Sequence, residues 1–125
     1  QDLVDEAMAL VQTVSVDEAR RLQTEGAQVV DLRDVRELER EGVVPGAVHA
    51  PRGMLEFWVD ATCQYHHQAF ADPAKRYVLF CAMGWRSALA ARTMQEMGFA
   101  NVAHIHGGFA AWKAAGAPVT EKTKR

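Results

Sequence analysis

A thiol and a guanidinium stand at the two ends of four intervening residues in the stretch Cys81-Ala82-Met83-Gly84-Trp85-Arg86-Ser87. The run before it, Tyr77-Val78-Leu79-Phe80, has the β-branched and aromatic composition of a short buried strand, while Ser87 to Met97 is rich in Ala, Leu and Met at helical spacing. Cys81 is therefore expected at a strand-to-helix turn. In such a turn successive backbone N–H groups converge while the positive end of the helix macrodipole faces them, so an anion is stabilised there. A thiolate is such an anion, and it forms more readily at a helix N-terminus beside an Arg, which makes the sulfur a nucleophile near neutral pH. Gly84 suits the bend, since it takes backbone angles closed to other residues. A lone intracellular Cys is more often a small buried hydrophobe; the residues spaced around Cys81 are what argue for chemistry.

Other polar residues are weaker candidates. Cys63 is a second thiol that would resolve an oxidised Cys81 only if the two sulfurs met the distance limits of a disulfide. His66-His67 and His104-x-His106 invite a metal, because alternate strand positions share a face. No Cys or carboxylate cluster completes a tetrahedral set at the usual spacing, so no metal is expected. Asp31, Arg33 and Glu37 are close enough in sequence to form a charge network that fixes a strand-end turn, which is a structural role. Phe57 and Trp58 read as the core side of an amphipathic helix in preference to a pocket lining shared with Trp85. Arg52 either adds positive potential near that pocket or is solvated.

The elements that must position the loop can be followed along the chain. Leu3, Val4, Ala7, Met8, Leu10 and Val11 repeat at helical spacing and predict an amphipathic helix over one edge of the domain. Ser15-Val16-Asp17-Glu18 has the pattern of a capping box at the start of a helix running to about Gln23, closed by Gly26. Gln28 to Leu32 reads as a strand buried on both faces, as in a parallel sheet flanked by helices. Pro45-Gly46 marks a turn before a short strand, Ala47 to His49. The stretch from Arg52 to Ala71, with Met54, Phe57, Trp58, Cys63, Tyr65 and Phe70 scattered among polar residues, lacks a clear period. His104 and His106 fall on a strand that ends in Gly107-Gly108, and Phe109 to Ala115 should pack Phe109 and Trp112 on the sheet before Pro118 closes the fold.

A chain of 125 residues fits one domain, residues 1–125 with a short mobile tail from 120 to 125, and is long enough for a real core. With 14 basic against 16 acidic residues and no long basic stripe, nucleic acid is not an expected partner. No apolar stretch approaches the ~20 residues of a membrane helix, so no membrane partner is expected. The 2 cysteines do not make a disulfide framework and fit a reducing, cytoplasmic compartment. The chain begins at Gln1 without a Met, which suggests trimming and leaves a removed signal segment open.

The Cys81-to-Arg86 loop, with Gly84 inside it and Ser87 after it, resembles the active-site loop of the rhodanese family of sulfurtransferases. Val30-Asp31-Leu32-Arg33, Glu37-Leu38 and Gly42-Val43-Val44-Pro45-Gly46-Ala47-Val48-His49-Ala50-Pro51 resemble the family's first signature, with Val43 where the family often has His. Gly107-Gly108-Phe109 and Trp112 resemble its second signature. The resemblance covers Val30 to Val119. It implies an α/β, three-layer domain: a central, mostly parallel sheet of about five strands with helices on both faces. It also implies a scaffold role for Asp31, Arg33 and Glu37, a persulfide on Cys81 held by the N–H groups of Ala82, Met83, Gly84, Trp85, Arg86 and Ser87, and no cofactor. The implied partners are a small sulfur-containing anion such as thiosulfate, a cyanide or thiol acceptor, and a protein that donates or accepts sulfur. Arg86 would either orient the donor's sulfonate or steady the loop. Phosphatases and arsenate reductases of related fold have five residues between Cys and Arg, a wider ring suited to phosphate, whereas four suit a single sulfur. A persulfide carrier with little thiosulfate activity is the other alternative.

Overall fold

The computed structural model describes residues 12–50, 70, 75–82 and 85–121. Among these residues five strands form: β1 (Gln12–Val14), β2 (Gln28–Asp31), β3 (Val48–His49), β4 (Tyr77–Phe80) and β5 (Val102–Ile105). They form one sheet in the order β1-β5-β4-β2-β3 with every pair parallel. Four helices accompany it among the described residues: α1 (Val16–Thr24), α2 (Val35–Glu41), α3 (Trp85–Glu96) and α4 (Gly108–Ala114).

β4 and β5 are buried at every position, which is why their sequences read as continuous apolar runs and not as alternating ones. Side-chain alternation then sorts the core into two layers. Val30, Tyr77, Leu79 and Cys81 pack with Ala90, Ala91 and Met94 of α3 on one face. Val29, Val78, Phe80, Ala103 and Ile105 pack on the other with Val16, Ala19 and Leu22 of α1 and Phe109 and Trp112 of α4. Helices thus cover both faces of a parallel sheet, giving three layers. The Trp112 indole Nε1–H donates to the Pro118 carbonyl at 2.7 Å, tying the chain after α4 to the core.

Several local expectations differ from what forms. At α1, the Ser15 hydroxyl accepts from the Glu18 N–H at 3.1 Å, but the reciprocal half of the capping box does not form; the Glu18 carboxylate pairs with Arg21 one turn on. The full reciprocal box sits instead at α2, where Asp34 accepts from the Arg36 N–H at 2.8 Å and Glu37 accepts from the Asp34 N–H at 3.0 Å. β1 has no counterpart in the sequence reading. Only three residues long, it is held by pairing with β5 and not by a pattern of its own. Thr120, the first residue of the expected tail, exchanges backbone hydrogen bonds of 2.7 and 2.9 Å with Val43 and is tied to the domain. The expected N-terminal helix and nearly all of the 52–71 stretch, Cys63, Phe57, Trp58, His66 and His67 included, lie outside the described residues. Phe70 is described: it is buried and stacks on Tyr77 with ring centroids 5.6 Å apart.

Candidate active site

Cys81 follows directly on β4, the central strand, at the carboxyl edge of the sheet. From β2 the chain moves outward to β3, and from β4 it moves the opposite way to β5, so Cys81 stands at the crevice where the winding reverses. Ligands of open α/β sheets bind in that position. α3 begins at Trp85, so the expected strand-to-helix turn is present. Met83, Gly84 and the Trp85 side chain lie outside the described residues.

The start of α4 fastens the thiol's own backbone. The Phe109 N–H donates to the Cys81 carbonyl at 2.7 Å and the Ala110 N–H to the Ala82 carbonyl at 3.1 Å. The first N–H groups of a helix have no partner within it; here the strand end supplies them. Such closeness requires Gly108, which has φ +59°: a Cβ there would run into the Cys81 carbonyl oxygen and lie 3.0 Å from the Ala82 carbonyl carbon. The Gly107-Gly108-Phe109 motif is thereby tied to the Cys81 loop by contact.

Of the three charged residues grouped by sequence, two meet. Arg33 and Asp31 are 1% and 2% exposed and form a forked pair, with Nε–Oδ1 at 3.0 Å and Nη2–Oδ2 at 2.8 Å. Arg33 Nη2 also donates to the Gly42 carbonyl at 2.9 Å, and its guanidinium lies 3.8 Å from the centre of the Phe109 ring. Among the described residues the buried Nη1 has no hydrogen-bond partner; it is the face of the cation, set over the aromatic ring, that is compensated. Glu37 does not reach Arg33. Besides capping α2, its carboxylate accepts from Arg86 Nη2 at 3.4 Å, so the loop's guanidinium is tied to the start of α2 while remaining 45% exposed. A cleft of about 470 Å³ between α2 and α4 is lined by Arg33, Glu37, Arg40, Ala82, Phe109 and Lys113; it borders the loop at Ala82 and does not include Cys81.

On the α3 side, Cys81 is 1% exposed and its Sγ lies 3.8 Å from the Ser87 hydroxyl. Ser87 Oγ is 3.2 Å from His104 Nδ1, and His104 Nε2 is 3.0 Å from Thr13 Oγ1. Sequence reasoning weighed His104 only as a metal ligand beside His106. The structure gives both its ring nitrogens to hydroxyls, and His106, past the end of β5, is exposed. Burial, and secondarily the neighbouring His106, hold the His104 imidazole below its ordinary pKa of 6.5. A buried His within an apolar strand was the available signal, but its partners depend on strand register.

Comparison with known proteins agrees with the fold. The model of the rhodanese-like domain matches residues 15–115. The thiosulfate sulfurtransferase GlpE of Pseudomonas aeruginosa (strain LESB58) is 30% identical over 102 residues, 82% of this chain and 84% of GlpE. YrkF of Bacillus subtilis (strain 168), named as a candidate sulfur carrier protein, is 31% identical over 88 residues; these are 70% of this chain but 42% of YrkF, so the chain spans less than half of that relative. A solved structure from Rhodopseudomonas palustris CGA009, of a protein of unknown function described as a possible tyrosine phosphatase, has a TM-score of 0.89 and 45% identity, covering 94% of this chain and 91% of that one. With its parallel three-layer fold, its thiol at the switch point and a family match across most of its length, the chain belongs to the rhodanese-like domain family.

Proposed function

We propose that this chain transfers sulfane sulfur from a donor such as thiosulfate to a cyanide or thiol acceptor through a persulfide on Cys81. The observation that carries this reading is the position of Cys81, directly after the central strand and four residues before Arg86, with α3 starting between them. The Cys81 thiolate attacks the outer sulfur of thiosulfate. The sulfur–sulfur bond of the donor breaks with its electron pair leaving on sulfite, and Cys81 keeps the extra sulfur as a persulfide anion. The acceptor then attacks that outer sulfur and releases the Cys81 thiolate. Covalent storage divides the transfer into two displacements and gives ping-pong kinetics. The backbone N–H groups from Ala82 to Ser87 hold the persulfide anion, and Arg86, half-exposed and paired with Glu37, either orients the donor's sulfonate or steadies the loop.

Two specific observations keep other readings in view. The name of YrkF, a candidate sulfur carrier protein, supports a carrier reading. The description of the Rhodopseudomonas protein supports a phosphatase, against which stands the spacing: four residues separate Cys81 from Arg86, where the phosphatases of related fold have five. Intact mass after incubation with thiosulfate separates the three. Wild type is expected to gain one sulfur atom, removable by cyanide, and Cys81→Ala none. A wild type that gains sulfur only from a persulfidated protein is a carrier. One that takes no sulfur and hydrolyses an aryl phosphate is a phosphatase.

A further inference from the structure

A line of polar groups leads away from the reactive sulfur, and the transfer steps above make no use of it. Cys81, Ser87 and His104 are buried, whereas Thr13, at the far end, is exposed on the edge strand β1. The sheet register assembles them. His104 is level with Leu79 on β4 and with Thr13 on β1, which puts its ring on the same face as Cys81, under α3 and its Ser87. The successive gaps are 3.8, 3.2 and 3.0 Å.

The donor and acceptor inventory of these groups allows two consistent states. With Cys81 as a thiol, S–H donates to Ser87 Oγ, the Ser87 O–H donates to His104 Nδ1, and the ring carries its proton on Nε2, donating to Thr13 Oγ1. With Cys81 as a thiolate each bond reverses: the Ser87 O–H donates to sulfur, Nδ1–H donates to Ser87 Oγ, and Nε2 accepts from the Thr13 O–H. Passing from the first state to the second moves the sulfur's proton to Ser87, the Ser87 proton to Nδ1, the Nε2 proton to Thr13 and the Thr13 proton to bulk water. One proton enters at sulfur and one leaves at the sheet edge, with no electrons transferred.

We propose that Ser87, His104 and Thr13 form a proton relay that carries the Cys81 proton from the buried thiol to the exposed sheet edge, His104 moving its ring proton from Nε2 to Nδ1 as the thiolate forms. The proposal rests on Cys81 being the reactive thiol, and it makes His104 a positioning residue that acts through Ser87. The groups around the ring are uncharged on three sides: Thr13 on β1, Leu79 on β4 and Ser87 on α3. The titratable neighbour, His106, follows on the same stretch of chain and, with burial, keeps the ring neutral at neutral pH, as a relay requires.

The test is the tautomer of His104, read from ring ¹⁵N shifts in the full chain at pH values above 6.5, the ordinary value of the imidazole, while thiolate absorbance follows Cys81. In wild type the ring is expected to switch from Nε2–H to Nδ1–H at the midpoint of the Cys81 titration, and in Ser87→Ala to hold one tautomer through it. One unchanging tautomer in wild type, or an unaltered switch in Ser87→Ala, overturns the relay. The wild-type spectrum is decisive by itself if Ser87→Ala fails to fold. Mass gain from thiosulfate on the same sample keeps the two conclusions apart: sulfur gained without a switch removes the relay and leaves the transfer, and a switch without sulfur gain does the reverse.

Discussion

At the scale of single residues, His104 has the environment with the clearest thermodynamic consequence. An unfolded chain protonates this imidazole near its ordinary value of 6.5, whereas the folded chain resists, because burial and then His106 disfavour the charged ring. Between the lowered folded value and 6.5 the unfolded state binds more protons. Stability is therefore at its full value above that window and falls as the pH drops through it. Urea midpoints measured from neutral pH down to about pH 5 should fall more steeply for wild type than for His104→Gln, whose amide keeps a donor and an acceptor without titrating. Equal slopes would show that His104 does not set the acid limb. Arg86 is a different case, since its exposed pair with Glu37 contributes at most about 1 kcal/mol. Its main consequence is the direction of the guanidinium, toward α2.

At the scale of elements, the site depends on how α4 starts. Its first N–H groups bond to Cys81 and Ala82, and the absence of a side chain at Gly108 is what permits this. Gly108→Ala combines a left-handed backbone angle with a collision against peptide atoms, and should cost about 2–4 kcal/mol. Because the obstructed atoms belong to the backbone of Cys81 and Ala82, the sulfur loading proposed for Cys81 should fall as well. Thermal denaturation together with intact mass after thiosulfate checks both; a variant as stable and as readily loaded as wild type would rule out this fastening. Helix starts also show where local sequence misleads. Ser15 and Glu18 have the box spacing, yet Glu18 turns to Arg21, while Asp34 and Glu37 complete a box beneath a less obvious pattern.

At the scale of the whole molecule, the Asp31–Arg33 pair binds together parts of the chain that the loop needs in fixed relation. It ties the end of β2 to the Gly42 carbonyl after α2 and to the Phe109 ring of α4, all on the edge where Cys81 sits. A buried pair that loses one partner leaves an uncompensated charge, so Arg33→Ala should cost about 3–5 kcal/mol. Arg33→Lys should recover only part of it, because an ammonium cannot reproduce the fork or the stacking. Urea denaturation measures both; a loss below about 1 kcal/mol for Arg33→Ala would mean that the pair is incidental to the fold. Among the described residues no helix is long and apolar enough to cross a membrane.

What could be read from the chain alone is what neighbours in sequence decide: buried strands as apolar runs, the turn from β4 into a helix, and the four-residue spacing between Cys81 and Arg86, although α3 starts at Trp85, two residues before the expected Ser87. These follow from propensity, side-chain period and the limited reach of a few peptide units. The tertiary structure alone decided which distant groups meet. Ser87 and His104 are 17 residues apart, Arg86 and Glu37 are 49 apart, and Thr13 and His104 are 91 apart. Their contacts depend on the strand order and register, which are set by burial across the whole sheet and leave no mark on the local pattern. Thus the sequence singled out the Cys81 thiol, and the packing of β1, β4, β5 and α3 supplied the groups that surround it.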